Sequence, residues 1–117
     1  MALFHSNKIE VKDSPIHGRG VFATSDIQAG EVLEECHFFT LGHTQTSAND
    51  GSLYQVVFCW PMGNKECHAV VLGYGTIYNH SDDNNATWDT DSGLRLYRFY
   101  ATKEIKSGQE ILTNYMR

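Results

Sequence analysis

A mainly β fold is what this sequence predicts, and three observations predict it. Short apolar and β-branched runs recur from end to end, Gly, Asp, Asn and Ser separate them, and no segment sustains three turns of helical periodicity. The 117 residues are expected to form one domain, 1–117. A chain of that length buries roughly two thirds of its unfolded surface, so it needs no covalent staple. A hydrophobic fraction of 41% with 12% aromatic residues argues against disorder.

The elements follow in order. A first strand is expected at Ile9 to Lys12, then a glycine turn in "SPIHGRGVFAT", with Gly18 and Gly20 around Arg19, leading into Val21 to Thr24. A longer strand is expected from Val32 to Leu41, followed by a polar loop, "GHTQTSANDGS", with no periodicity. Tyr54 to Trp60 and His68 to Leu72 read as strands joined by the hairpin turn "WPMGNKEC". Tyr74 to Tyr78 has room for one short helical turn. In "LRLYRFYA", Leu94, Leu96, Arg98 and Tyr100 alternate with Arg95, Tyr97 and Phe99, which predicts a strand from Leu94 to Ala101; a last strand is expected near Ile111.

An internal echo runs through this pattern. "FATSDIQAGEVL" and "YATKEIKSGQEIL" share Ala, Thr, Ile and Gly in register, which makes Gly30 and Gly108 turn residues.

Several function classes fall away on composition. The N-terminus lacks the basic and apolar regions of a secretory signal, and no apolar run approaches the ~20 residues of a membrane-spanning helix. No membrane partner is therefore expected. Three cysteines, Cys36, Cys59 and Cys67, without Cys-x-x-Cys spacing fit a reduced, intracellular setting, cytoplasmic or nuclear. Six scattered histidines offer no metal-binding pair, so no metal is expected. A formal charge of −5 with no basic stripe disfavours direct contact with nucleic acid and favours basic ligands or peptides. The Gly-x-Gly turn precedes a strand rather than a helix, unlike a dinucleotide fingerprint. Ser81 beside His80 lacks the Gly-x-Ser-x-Gly elbow of a hydrolase.

What remains is an odd junction. "GTIYNHSDDNN", Gly75 to Asn85, follows the apolar "HAVVLGY" and places acids and amides where a buried strand has just ended. Read with "HGRGVFA", the "I-x-x-G-E-V" turn and the C-terminal "IKSGQEILTNY", the chain resembles the SET-domain family of protein lysine methyltransferases, and most closely its minimal stand-alone viral or microbial members. The four pieces come in the family's order and span nearly the whole chain. This sequence has Asp82-Asp83-Asn84-Asn85 where the family often has Cys-x-Pro-Asn, so only Asn85 matches, and no flanking cysteine-rich modules are expected.

That resemblance implies small curved sheets with little helix and a C-terminal pseudoknot that brings the Asn-His-Ser segment beside the last tyrosine. It implies S-adenosylmethionine as cofactor, held by Arg19, Gly20, Asn79 and His80, and Tyr115 as the catalytic residue. It places Thr113, with Tyr78, at the substrate channel; Thr113 stands where several members carry a narrowing aromatic residue, so the smaller side chain leaves room for more than one methyl. The implied substrate is a lysine in a basic protein or tail, of histone, chromatin or ribosomal type. Only Met116 and Arg117 follow Tyr115, and a homodimer is one source for the wall that later residues give other members. The rival reading is a non-catalytic module that binds a peptide or S-adenosylmethionine without turnover.

Overall fold

The computed structural model describes residues 3–41, 58–60 and 68–115. Among the described residues, ten strands fall into three small sheets. β1 (Ile9–Asp13), β2 (Arg19–Ala23), β10 (Glu110–Thr113) and β7 (Asn79–His80) form one, in the order β1-β2-β10-β7. β3 (Val32–Cys36), β9 (Leu96–Ala101) and β8 (Ala86–Asp91) form the second, with β9 central. β4 (Phe38–Leu41), β6 (His68–Val71) and β5 (Phe58–Cys59) form the third, with β6 central. No α-helix occurs among the described residues, as the missing 3.6-residue period foretold.

The expected run from Val32 to Leu41 is broken at His37. Its first half pairs with β9 and its second with β6, so one apolar stretch supplies two sheets. The predicted start of β9 at Leu94 is two residues early. Arg95 takes a φ of 55° and Leu94 donates its N–H to Asp91 Oδ1, which puts both residues in the β8–β9 turn. Alternation in "LRLYRFYA" hid that turn because both residues happen to fit the period. β8 itself was missed, since Asp89, Thr90 and Asp91 make half of it polar, yet Ala86, Thr87 and Trp88 are buried. From Leu72 to Ile77 the chain makes hydrogen-bonded turns, Leu72 O to Gly75 N and Tyr74 O to Ile77 N, without forming a helix. The polar loop, the hairpin turn and Tyr54 to Val57 lie outside the described residues.

The core is aromatic and aliphatic. Phe99, fully buried on β9, stacks on Tyr78 with ring centroids 4.7 Å apart and packs near Trp88 and Phe58. Such ring pairs add about 0.5–1.5 kcal/mol to what burial supplies.

The internal echo is a symmetric pair in space. Ile27 and Ile105, both fully buried, bridge antiparallel and exchange N–H···O bonds of 2.8 and 2.9 Å. Gly30 N–H donates to Ala101 O and Gly108 N–H to Ala23 O, so each loop caps the strand end of the other. Both glycines have left-handed φ, 86° and 89°, which a side chain resists. Ala23 N–H donates to Gln109 O and Ala101 N–H to Glu31 O, completing the exchange.

This clasp delivers the C-terminal strand. β10 enters between β2, to which it is antiparallel, and β7, to which it is parallel, with Leu112 opposite Asn79 and Thr113 opposite His80. Asn85 ties it in place: its Nδ2 donates to Glu110 O at 3.0 Å and its Oδ1 accepts from Leu112 N at 2.8 Å. One side-chain amide thereby acts as a strand partner, and its backbone N–H adds a bond to Leu112 O.

Candidate active site

The thread through β10 decides which distant residues meet. A cleft of about 520 Å³ opens between the turn at residues 16–19, Thr76 and Ile77, the β7 pair Asn79 and His80, and Tyr115. Arg19, Asn79, His80 and Tyr115, four of the residues singled out from sequence, border it together. Gly20 follows Arg19 in β2 and does not border the cleft.

Asn79 is buried and its Nδ2 is shared among three acceptors: His17 O at 3.0 Å, Arg19 O at 3.2 Å and Glu110 Oε2 at 2.8 Å. It therefore pins the Gly-x-Gly turn to β7. Glu110 also accepts from Ser14 Oγ at 2.8 Å, which closes the turn from its other side. Gly20 is a glycine for an internal reason, because a Cβ there would stand 2.2 Å from Glu110 Oε2.

His80 has a defined tautomer. Its Nδ1 accepts the Tyr115 N–H at 2.9 Å, so the ring proton sits on Nε2, which faces Asp82 Oδ1 at 3.2 Å. The acidic departure from the family pattern is thus used inside the chain: Asp82 faces His80, and Asp83 accepts from Lys103 Nζ at 2.9 Å, which holds the Asp83 carboxyl below its ordinary range.

Tyr115 is half-exposed, and its hydroxyl donates to the Tyr78 carbonyl. Burial of the hydroxyl, with the negative charge of Glu110, raises its pKa above the ordinary 10. It is a neutral phenol at physiological pH. Because its proton points at a carbonyl, its lone pairs are left to accept.

The two channel expectations find different places. Tyr78 turns its ring into the core, where it stacks on Phe99 and donates to Glu34 Oε1 at 2.7 Å; only its carbonyl serves Tyr115. Burial first, and then the Glu34 charge, push its hydroxyl well above the ordinary range, so it stays a donor. Thr113 is 1% exposed and does not border the cleft.

Sequence reading passed over Glu34, which lies within 'VLEEC'. A signal was available: it stands between Val32 and Cys36 on one face of a strand, an acid in an apolar row. It also passed over Ile16 and Ile77, the apolar sides of the cleft.

A second cleft of about 390 Å³, between Asp83, Asn85 and the Lys103–Glu104 and Gln109–Leu112 segments, contains none of these rim residues. Among the described residues no cluster of His, Cys, Asp and Glu could hold a metal, and no helix is long and apolar enough to cross a membrane.

The SET domain family profile matches residues 18–116. The chain belongs to the SET-domain family. A histone-lysine N-methyltransferase of Schizosaccharomyces pombe, specific for H3 lysine 37, is 27% identical over 109 residues, which cover 92% of this chain and 72% of that one. A solved structure of a candidate histone methyltransferase from Plasmodium falciparum superposes with a TM-score of 0.76 at 27% identity, covering 94% of each chain. The SET domain here is accordingly built of several small sheets, without helix among the described residues, and of the protein-lysine N-methyltransferase class. Three of its four motifs border the cleft, the turn around Arg19, the segment from Gly75 and the C-terminal segment that ends at Tyr115, while the Ile27 to Val32 turn lies in the clasp with Ile105.

Proposed function

We propose that this SET domain transfers a methyl group from S-adenosylmethionine to the side-chain amine of a lysine in a basic protein or tail, with Tyr115 orienting the amine. The observation that carries this reading is the Tyr115 hydroxyl on the Tyr78 carbonyl, at the edge of a cleft walled by Asn79 and His80.

The residues present suit the cofactor. The cleft combines apolar sides, Ile16 and Ile77, with polar groups from the Arg19 turn, Asn79 and His80, the mixture a partly aromatic zwitterion requires, and its volume lies in the range of small-molecule sites. Arg19, Asn79 and His80 would hold it, with Gly20 allowing the Glu110 and Asn79 side chains to close beneath the turn. When bound, S-adenosylmethionine supplies an electrophilic methyl on a cationic sulfur.

The incoming lysine must be neutral. With a reference pKa near 10.4, deprotonation at pH 7 costs about 4–5 kcal/mol, and entry into a site of low polarity reduces that cost. Tyr115 is no base for this step, since its raised pKa keeps it protonated. Its work is geometric. The lone pairs of a phenol already donating to Tyr78 O accept an amine N–H, which aims the nitrogen lone pair; positioning of this kind is worth several kcal/mol of a barrier.

A basic substrate follows from the chain's net charge of −5. The related histone methyltransferase makes histone tails the first class to try. The test is incubation with methyl-labelled S-adenosylmethionine and a panel of basic peptides and intact histones. Label on lysine is the expected result; cofactor binding without label on any lysine would favour the non-catalytic module instead.

A further inference from the structure

Glu34 is the one fully buried carboxylate among the described residues, 1% exposed on β3 opposite Phe99. Taking a charge out of water costs several kcal/mol, and an apolar residue of equal volume usually serves stability as well. Its partners point to another use. Oε1 accepts the Tyr78 hydroxyl at 2.7 Å, and Oε2 faces Tyr74 N–H at 3.4 Å and His5 Nδ1 at 3.3 Å. The His5 ring in turn meets Tyr74 edge-on at 4.8 Å. One carboxylate thus grips both ends of the turn from Tyr74 to Tyr78. The outward side of that turn, Thr76 and Ile77, borders the cleft, and its end presents the Tyr78 carbonyl to Tyr115. Gly73 admits the carboxylate, since a Cβ there would lie 3.0 Å from Oε2.

We infer that Glu34 is a positioning residue for methyl transfer: by holding the Tyr78 hydroxyl it fixes the Tyr78 carbonyl and, through it, the Tyr115 hydroxyl. The inference rests on the reading of Tyr115 given above. It requires only an acceptor at Glu34, so an amide should replace the carboxylate and a thioether should not.

The full chain is assayed as Glu34→Gln, Glu34→Met, Tyr78→Phe, Tyr115→Phe and the double variant Tyr78→Phe/Tyr115→Phe. Turnover is expressed per folded molecule, beside KM for the cofactor. Glu34→Gln is expected within about threefold of native turnover. Glu34→Met and Tyr78→Phe should lose about tenfold or more in kcat with cofactor KM little changed, the mark of lost geometry rather than lost fold. The double variant should be no slower than Tyr115→Phe alone, because the Tyr78 hydroxyl acts through Tyr115. If Glu34→Met does not fold, Tyr78→Phe decides by itself. Native kcat in Tyr78→Phe beside a slow Tyr115→Phe overturns the inference alone, as does a double variant slower by the product of the two single losses. Native kcat in Tyr115→Phe removes the reading beneath it as well.

Discussion

Tyr78 and Asn79 are neighbours in the chain, yet each is held by a glutamate from a different sheet. Glu34 on β3 receives the Tyr78 hydroxyl, and Glu110 on β10 receives the Asn79 amide. Each carboxylate also lies against a glycine, Gly73 for Glu34 and Gly20 for Glu110; a Cβ would crowd the first and collide with the second. The difference lies in water. Glu34 is sealed in the core, where a hydroxyl, a backbone N–H, an imidazole and the Cys36 thiol meet it, so its partners have fixed places. Glu110 is half-buried, shared with Ser14, and able to exchange partners with solvent. A sealed carboxylate imposes geometry, whereas a half-open one tolerates adjustment. On this view the Glu34 side governs turnover and the Glu110 side governs the cofactor wall.

The Glu34 side ends at Tyr115 through the Tyr78 carbonyl, and Tyr115 is the residue assigned to the amine, so its variant should have the largest effect. Tyr115→Phe is expected to bind cofactor normally and to lose about 100-fold or more in kcat, roughly 3 kcal/mol of barrier. Calorimetry and single-turnover assays read the two separately. The pH profile adds a sign. Since the pKa of Tyr115 is raised, the phenol stays protonated through neutral pH, and the native rate should climb as the substrate lysine deprotonates without a falling limb below about pH 10. A rate that instead tracks phenolate formation and vanishes in Tyr115→Phe at every pH would make the tyrosine a base.

Next in size is Gly20→Ala. Its Cβ would stand 2.2 Å from Glu110 Oε2 and 3.0 Å from Asn79 Nδ2, so the carboxylate and amide must separate. Overpacking of this kind costs about 1–3 kcal/mol, and weaker cofactor affinity should exceed any loss of kcat. An equal loss in both would erase the division between the two glutamates.

How much of this was legible beforehand differs along the same line. Arg19, Asn79, His80 and Tyr115 sit in short motifs whose order betrays them, and the echo between Gly30 and Gly108 was visible as residues in register. Its spatial meaning was not: that the two loops cap each other across Ile27 and Ile105 depends on contacts 78 positions apart, 27 to 105, which no local pattern contains. Glu34 was passed over, although it stands in an apolar row between Val32 and Cys36, because "LEEC" also looks like a solvent-facing acid pair. A register shift between Val32 and Glu34 buries Leu33 and Glu34 in succession, and of the two glutamates it is Glu35 that reaches Arg98, at 2.9 Å. The split at His37 and the turn at Leu94 and Arg95 were hidden for a related reason, since strand alternation says nothing of which sheet a strand joins or where it stops.

Gly73→Ala probes the sealed side more gently. The position has φ 66° and a Cβ would approach Glu34 Oε2 to 3.0 Å, so the cost is about 1–2 kcal/mol of backbone strain plus a small shift of the turn. Turnover should fall severalfold while cofactor affinity holds, the reverse of Gly20→Ala. Parallel titrations and rate assays on the two alanine variants would reveal a shared defect if the glutamates are not separate in function.

The smallest effect is expected at Asp82, whose side chain is almost fully exposed beside His80 Nε2. Exposed pairs contribute little, because water and salt screen them. The tautomer of His80 is set chiefly by its other nitrogen, where the Tyr115 N–H donates to Nδ1. Asp82→Ala should therefore leave melting temperature and kcat near native, and nitrogen NMR of the imidazole should still show Nδ1 unprotonated. A change of tautomer accompanied by slower turnover would place Asp82 in the machinery that holds Tyr115, and would make the acidic departure at this position a third carboxylate control beside Glu34 and Glu110.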